Sequence, residues 1–277
     1  MLDSRTIPFW KMHAFGNDFV LIDCLDNNYP ITDSLIKRIL DRKFGIGADD
    51  LILLSNSTKA DYKMKVMNPD GSEAPMCGNA LLCVGKYIYS KSKVCPKHWT
   101  IETFSGIRTI TPINEENQLK LRLSMGKPNF NRASKEIFET VKVGPEDILF
   151  VSVNTGAPHA VVFVNNLDEY PVSLVGKQIE HHPRFPDTTN VMFVLVEDYD
   201  SISIRCWERG GTGESLACGT GACASAYIST LLNYTRNSVR VKFQIGEAKV
   251  WIEDDNEISL TGQAEFVYSG QWETRNS

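Results

Sequence analysis

The stretch ESLACGTGAC, residues 214–223, shares its skeleton with EAPMCGNA, residues 73–80. In each copy a Glu stands four residues before a Cys, and the Cys is followed by Gly and a small polar residue. An apolar run of small residues comes next and predicts a helix. The equivalent cysteines, Cys77 and Cys218, are 218 − 77 = 141 residues apart. The chain therefore contains two copies of one structural unit.

Other landmarks repeat at a nearly constant spacing. Three upstream pairs are separated by 140 residues: Gly16 and Gly156, Asp50 and Asn190, Asn68 and Glu208. Downstream, Gly106 and Gly246 are again 140 residues apart. The single extra residue at the cysteines places a one-residue insertion in residues 209–213 of the second copy.

The hydrophobic pattern predicts the elements of each copy. The pattern predicts two strands around a Gly-Asn turn in residues 9–23. It also predicts an amphipathic helix in residues 32–43, ended by Gly45, and a second helix in residues 79–91. Several further strands follow, for example at residues 99–104, 107–113 and 118–124. We predict an α+β protein of two pseudo-symmetric tandem domains, each a mixed, largely antiparallel sheet or barrel around a central helix.

The expected domains are residues 1–127, which carry Cys77, and residues 128–265, which carry Cys218. The C-terminal tail, residues 266–277, is expected to pack on the first domain. We expect the active site in the cleft between the domains, since clefts of this kind are common sites for small ligands.

Composition excludes several classes of protein. The 277 residues are 42% hydrophobic and 23% charged with a net charge of −5, which is typical of a soluble globular protein without a basic surface for nucleic acid or membrane. No stretch resembles a membrane span or a secretory signal, so we expect a cytoplasmic protein. The seven cysteines are then expected to be reduced, and their spacing fits no structural metal site.

Two thiols at helix N-termini suggest a specific chemistry. The partial positive charge at each helix end favours the thiolate, and nearby backbone N–H groups can bind a carboxylate. The N–H groups in question belong to Gly78, Asn79, Gly219 and Thr220. If one Cys acts as thiolate base and the other as thiol acid on opposite faces of an α-carbon, the stereocentre is inverted without a cofactor.

Other functional classes match parts of this pattern. Residues 219–224 fit a dinucleotide fingerprint, but no apolar strand precedes them, and no Lys-Ser/Thr pair completes a phosphate loop. A thiol enzyme in which His159 is the base for Cys218 is the stronger rival, although it leaves Cys77 unexplained. The remaining cysteines are interpreted as small buried apolar residues. They are Cys24, Cys83, Cys95, Cys206 and Cys223.

Motifs along nearly the whole chain resemble the diaminopimelate epimerase family, a group of proline racemase-like, cofactor-independent two-thiol enzymes. The motifs are KMH…GNDF in residues 11–19, FGIGAD in 44–49, NPDGSE in 68–73, MCGN in 76–79, PHAV in 158–161, TNV in 189–191, WERG in 207–210, ACGTG in 217–221 and TGQAEFV in 261–267. The resemblance implies interconversion of LL- and meso-diaminopimelate in lysine and peptidoglycan-precursor biosynthesis, by two domains that close over the substrate.

The resemblance also implies roles for individual residues. Cys77 and Cys218 correspond to the acid/base pair, and His159 and Glu208 to residues beside them that set proton positions and hold the amino group. The substrate contacts implied are Asn17, Asn68, Asn190 and Arg209, the last three at the distal, non-reacting end. We expect a small-molecule substrate and no nucleic-acid or membrane partner, and a homodimer is left open as the assembly.

The chain departs from the family pattern at several positions. The family usually has Gly and Arg where this chain has Ala80 and Leu82. Position 50, commonly Gln or Gly, is Asp50, and position 157, often Asn, is Ala157. The insertion in residues 209–213 is also extra relative to the family. A related racemase or epimerase of another amino acid therefore remains an alternative.

Overall fold

The computed structural model describes residues 6–74, 77–93, 96–115, 117–130, 137–210 and 213–274. The chain divides into two compact units. Unit 1 comprises Met1–Leu123 with Gln263–Ser277, and unit 2 comprises Ser124–Gly262. The last segment of the chain thus returns to the first unit.

Unit 1 contains one mixed sheet and two helices. Its helices are α1 (Asp33–Leu40) and α2 (Gly78–Lys91), and its strands in this part of the chain are β1 (Thr6–Ala14), β2 (Asn17–Asp23), β3 (Asp50–Ser55), β4 (Tyr62–Met67), β5 (Trp99–Thr103), β6 (Gly106–Glu115) and β7 (Gln118–Gly126). The end of β7 extends into unit 2, which begins at Ser124. Neighbouring strands pair in chain order, with β2/β3 and β4/β5 parallel and the others antiparallel.

Unit 2 repeats this arrangement. Its strands are β8 (Glu139–Val143), β9 (Glu146–Asn154), β10 (Pro158–Phe163), β11 (Asn190–Asp198), β12 (Ser201–Glu208), β13 (Gly213–Ser215), β14 (Ser238–Phe243), β15 (Gly246–Ile252) and β16 (Ile258–Gly262), and its helices are α3 (Val172–Glu180) and α4 (Gly219–Leu231). The pairs β10/β11 and β12/β14 are parallel, and the other pairs are antiparallel.

The pairing register repeats as the sequence spacing does. Phe19 is opposite Asp50 in unit 1, and His159 is opposite Asn190 in unit 2, so both partners shift by 140 (159 − 19 = 190 − 50). The same shift relates the pair Leu51/Met67 to the pair Val191/Trp207, and Tyr62/Ile101 to Ile202/Val241. The repeat inferred from the sequence is therefore a repeat of hydrogen-bonded register.

The C-terminal strand has the same place in unit 1 that β8 has in unit 2. This strand, β17 (Glu265–Glu273), pairs antiparallel with β1, which pairs on its other side with β2. In unit 2, β9 likewise pairs antiparallel with β8 and β10. Each unit thus adds an antiparallel strand beside its first long strand, one from the chain end and one from the segment that precedes β9.

Glycine allows a close approach in the middle of α2. A Cβ atom added at Gly85 would lie 2.8 Å from Ile110 Cγ2 and 3.0 Å from Leu121 Cδ1. These apolar side chains belong to β6 and β7 and are fully buried. Because no side chain separates the helix from them, α2 lies directly on the sheet of its own unit.

The α+β prediction is confirmed, and the element boundaries differ in places. Helix α1 starts as expected, with Thr32 Oγ1 accepting from the Leu35 N–H, but it ends at Leu40 rather than near residue 43. The reason is Asp41, whose carboxylate accepts from the N–H groups of Lys43 and Phe44 and so competes with helical hydrogen bonding.

Gly45 does not end α1, contrary to the prediction. A Cβ at this residue would lie 2.0 Å from the carbonyl oxygen of Arg38. Glycine is therefore required because the chain folds back onto the helix.

Among the described residues, no helix is both long enough and apolar enough to cross a bilayer.

Candidate functional site

The two cysteines of the repeat begin equivalent helices. Cys77 is the N-cap residue of α2 with φ −139° and ψ 111°, and Cys218 is the N-cap residue of α4 with φ −132° and ψ 111°. Neither side chain makes a capping hydrogen bond to its own helix among the described contacts. Each thiol therefore lies at the positive end of a helix whose first N–H groups it leaves uncapped.

In unit 1 the structure brings three predicted residues together. The side-chain oxygen of Asn17 lies 3.9 Å from Cys77 Sγ and accepts from Asn79 Nδ2 at 3.2 Å. Asn79 is buried in the first turn of α2. By contrast, the described side-chain hydrogen bond of Asn68 is local, to Ser72 Oγ at 2.8 Å. Asn17 is thus the residue that connects the β1–β2 hairpin to the start of α2.

An ion-pair network that the sequence analysis missed holds Asn17. Its Nδ2 donates to Asp49 Oδ2 at 2.9 Å, and Arg42 Nη2 donates to Asp49 Oδ1 at 2.6 Å. Arg42 also donates two hydrogen bonds to Asp18, and Lys11 donates another. Burial alone would raise the pKa of Asp18, but the bonds from Arg42 and Lys11 hold it well below its usual range. Asp18 lies in the motif of residues 11–19 and Asp49 in the motif of residues 44–49, so these motifs were the sequence signal for the network.

In unit 2 the N-terminus of α4 is closely packed around Cys218. Cys218 is 6% exposed, and its Sγ lies 3.5 Å from Thr220 Oγ1. The buried Thr155 donates to the carbonyl oxygen of Thr220 at 2.7 Å. A Cβ added at Gly221 would lie 2.2 Å from Met192 Sδ and 3.2 Å from Cys218 Sγ. Glycine is therefore required at this position because the space beside the thiol has no room for a side chain.

His159 is a buried histidine with no partner in the described part of the chain. It is 1% exposed, and neither ring nitrogen has a hydrogen-bond partner there. It lines a cavity of about 760 Å³ together with Ser152, Asn154 and Thr189. Burial, with a smaller effect from the charge of Arg209, lowers the pKa of His159 to about 3. The ring is neutral at physiological pH and can either accept or donate a hydrogen bond.

The rival interpretation, a Cys-His nucleophile, loses support from this geometry. A base that activates Cys218 must hydrogen-bond to its thiol. Both ring nitrogens of His159 lack such a bond within the described residues. A base with a pKa near 3 is also too weak to hold a proton taken from a thiol.

The buried His159 predicts acid-sensitive folding. Its pKa is near 6.5 in an unfolded chain and near 3 in the folded protein, so below pH 6.5 protons bind preferentially to the unfolded state. As the pH falls from 6.5 towards 3, protonation of His159 in the unfolded state should lower the folded-to-unfolded ratio by up to about tenfold per pH unit. Urea unfolding between pH 6.5 and 4.5 should therefore show a shallower loss of stability for His159→Gln.

The exposed His98 provides the matched control for this measurement. His98→Gln removes an exposed imidazole near Asp61 and should change the acid dependence of the wild type much less than His159→Gln does. Parallel acid dependence of His159→Gln and the wild type would contradict a buried neutral His159.

The segment around Arg209 is also held by hydrogen bonds. The buried Asn190 accepts from the Arg209 N–H through Oδ1 at 3.0 Å, and Arg209 Nη1 donates to the Asp187 carbonyl oxygen at 2.9 Å. Glu208 is half-buried at the end of β12. Burial raises the pKa of the Cys206 thiol well above its ordinary value, and the neighbouring Cys218 and Glu208 raise it further. Glu208 and Cys218 thus both lie near Cys206.

The Glu residues of the repeated skeleton have equivalent partners one strand away. Arg205 of β12 makes a two-pronged ion pair with Glu214, with distances of 2.7 and 2.9 Å. Lys65 of β4 lies 3.6 Å from Glu73, and 205 − 65 = 140. Each Glu is therefore part of the structural support for the chain entering a Cys-bearing helix.

The other cysteines largely agree with the buried apolar interpretation. Cys83, Cys206 and Cys223 are buried, whereas Cys24 is half-buried because it packs at the edge of a core cluster, and Cys95 lies outside the described residues. Residues 211–212 of the predicted insertion also lie outside the described residues.

In the described ranges, no three His, Cys, Asp or Glu side chains come together as metal ligands.

Residues that depart from the expected motif pattern have different environments. Ala80 and Leu82 are fully buried in the first turns of α2. Asp50 begins β3 and is half-buried. Ala157 is half-buried, and the exposed Asn154 nearby accepts from the Gly156 N–H at 2.9 Å. Two of the four departures are thus core positions.

Comparison with known proteins identifies similar chains. A family model described as diaminopimelate epimerase matches residues 9–131 and 151–267. The diaminopimelate epimerase of Caldanaerobacter subterraneus subsp. tengcongensis is 42% identical over 96% of this chain and 99% of its own. That of Acetivibrio thermocellus is 38% identical over 95% of this chain and 97% of its own.

A solved structure shares the fold at lower identity. It is a phenazine biosynthesis protein of the PhzF family from Bacillus anthracis, with a TM-score of 0.74 and 19% identity over 97% of this chain and 99% of that one. At this level of identity the likeness concerns the fold alone.

Proposed function

Because the chain belongs to the diaminopimelate epimerase family, we propose that it is an isomerase that interconverts LL- and meso-diaminopimelate. The observation that carries the proposal is the family match across both copies of the repeat, each with a Cys at a helix N-terminus. The reaction would serve lysine and peptidoglycan-precursor biosynthesis. A cytoplasmic location is part of the proposal and is consistent with the composition.

The proposed chemistry is a two-base proton transfer. The thiolate of one cysteine takes the α-proton, and the electron pair of the broken C–H bond is held by the substrate carboxylate and the N–H groups that bind it. The thiol of the other cysteine delivers a proton to the opposite face, so the configuration is inverted with no net oxidation. In the reverse direction Cys77 and Cys218 exchange these roles. The proposal requires both thiols to reach one α-carbon.

The helix N-termini supply the anion-binding groups of this proposal. The first N–H groups of α2 and α4, at Gly78, Asn79, Gly219 and Thr220, are donors of the kind that bind carboxylates. Their strength comes from fixed orientation, because N–H groups already held in a helix need not reorganise as negative charge develops.

The remaining site residues are proposed to have the roles that the family resemblance implies. A neutral His159 can accept a hydrogen bond from the substrate ammonium, and Glu208 supplies a carboxylate for the same group. Asn17 contacts both Cys77 and Asn79, which suits a residue that aligns the thiol and the substrate. Arg209 is proposed to bind the distal carboxylate, with Asn68 and Asn190 at the same end, since its planar guanidinium matches a carboxylate with two hydrogen bonds.

The proposal predicts isotope incorporation from solvent. With reduced protein and LL-diaminopimelate in deuterated water, we expect deuterium at one α-carbon of the product and gradual formation of the meso isomer. Mass spectrometry measures the label, and chiral chromatography measures the isomer. Absence of both with folded, reduced protein would refute the proposal.

A panel of amino acids in the same assay addresses the alternative substrate. Exchange of proline, hydroxyproline or another amino acid in place of diaminopimelate would identify a related racemase or epimerase instead. Exchange limited to diaminopimelate would connect the distal-end residues to specificity. The panel thereby distinguishes a failed substrate assignment from a failed mechanism.

A further inference from the structure

Glu180 is a buried carboxylate for which neither the sequence motifs nor the proposed mechanism provides a role. It is the last residue of α3 and is 2% exposed. Burying a carboxylate is costly unless it is hydrogen-bonded, and a negative charge at a helix C-terminus is further disfavoured by the helix dipole. Its position therefore requires specific partners.

Both oxygens of Glu180 have a donor on one short segment. Oε2 accepts from Trp207 Nε1 at 2.8 Å, and Oε1 accepts from the backbone N–H of Gly210 at 2.8 Å. His181 Nδ1 lies farther away, 3.7 Å from Oε2. The two donors bracket Glu208 and Arg209, so one carboxylate is bonded to the residues on both sides of this pair.

The helix that carries Glu180 is itself fixed against Trp207. A Cβ added at Gly176 of α3 would lie 2.5 Å from Trp207 Cγ, so the indole ring lies directly on the helix backbone. Trp207 is thus held by its ring on one side and by its N–H on the other. Glu180 lies on this same helix, which cannot shift without displacing Trp207.

The backbone of the segment is fixed a second time from β11. Asn190 Oδ1 accepts from the Arg209 N–H at 3.0 Å, one residue before the N–H that Glu180 binds. Gly210 adopts φ +82°, a conformation that favours glycine, so the chain turns sharply after Arg209. Two consecutive N–H groups are therefore bound by side chains from two different elements at this turn.

We infer that Glu180 is a positioning residue that sets the direction of Arg209 by binding Trp207 and Gly210 on either side of it. The inference rests on the proposed function, in which Arg209 binds the distal carboxylate of the substrate. Glu180 does not touch the substrate in this scheme. Its effect is to hold the guanidinium in place before the substrate arrives, which reduces the ordering cost of binding.

The test is Glu180→Gln, which keeps the size of the side chain but turns one accepting oxygen into a donor that faces an N–H group. We expect kcat/KM for LL-diaminopimelate to fall on the order of tenfold, mainly through KM. Glu247→Gln makes the same chemical change at an exposed residue of the same unit and should leave kcat, KM and the unfolding midpoint unchanged.

A double-mutant cycle separates positioning from general stability. Arg209→Lys keeps the charge but loses the planar two-pronged donor. If Glu180 acts through Arg209, adding Glu180→Gln to Arg209→Lys should cost much less than adding it to the wild type. A role limited to stability would lower the unfolding midpoint equally in both backgrounds while kcat/KM per folded molecule stayed the same.

The outcomes are distinguishable from failure of the proposed function. A wild-type enzyme that does not epimerise diaminopimelate would overturn the function and this inference together. An active wild type with additive effects of the two substitutions, or with unchanged KM in Glu180→Gln, would overturn the inference alone. Coupled effects on KM would support it.

Discussion

Replacing Cys77 or Cys218 by Ser is expected to lower kcat for epimerisation by about a thousandfold, within the range that a positioned acid or base contributes. A serine hydroxyl keeps the size of the thiol but is a far weaker acid. Each cysteine is the base in one direction and the acid in the other, so each variant should be impaired in both directions. Chiral chromatography starting from the LL and from the meso isomer measures this.

Two further cysteines serve as matched controls. Cys83 lies in α2 and Cys223 in α4, and both are fully buried beyond the first turn of their helix. Cys83→Ala and Cys223→Ala should each cost about 1 kcal/mol of stability and leave kcat close to that of the wild type. A Cys77→Ser enzyme with normal kcat for epimerisation would contradict the two-thiol mechanism.

The sequence predicted the repeat and the helix that follows each cysteine because both depend on local spacing. The 140-residue offset seen in the sequence is also the offset in strand register, for instance between Phe19 and His159. Register is set by which residues face the core, so a duplicated pattern of apolar residues implies a duplicated register.

The supporting contacts could not be predicted in the same way. Glu180 reaches Gly210 across 30 residues, and Arg42 reaches Asp18 across 24. Such contacts depend on where separate elements are placed, and a lone Glu at the end of a helix carries no signal for them. The prediction that Gly45 ends α1 was wrong for a related reason, since close backbone packing and a helix end both select glycine.

Gly221 is a position where packing overrides the local preference for a helix-forming residue. In an isolated helix, alanine is favoured over glycine by about 1 kcal/mol, so Gly221→Ala would be expected to stabilise α4. In this protein the new methyl group would lie 2.2 Å from Met192 Sδ and 3.2 Å from Cys218 Sγ. Met192 is fully buried, so its side chain has no open space to move into without disturbing the core.

We therefore expect Gly221→Ala to be destabilised by about 1–3 kcal/mol, the usual cost of overpacking a core. Because the new methyl group would also lie tightly against Cys218 Sγ at 3.2 Å, kcat should also fall, by up to about a hundredfold for a thiol displacement near 1 Å. Thermal unfolding and the deuterium-exchange assay measure the two effects. Met192→Ala in the same chain removes the colliding sulfur and should recover part of the lost kcat.

Ser225→Ala supplies the comparison for this variant, since it lies one turn further along α4 and adds no atom to the core. Its buried hydroxyl has no partner among the described residues, so the change should leave stability equal or slightly higher and kcat unaltered. If Gly221→Ala were more stable than the wild type with normal kcat, helix preference would outweigh packing, and the position of the Cys218 thiol would not depend on Gly221. If kcat fell without recovery in the Met192→Ala double variant, contact with Cys218 rather than with Met192 would be the cause.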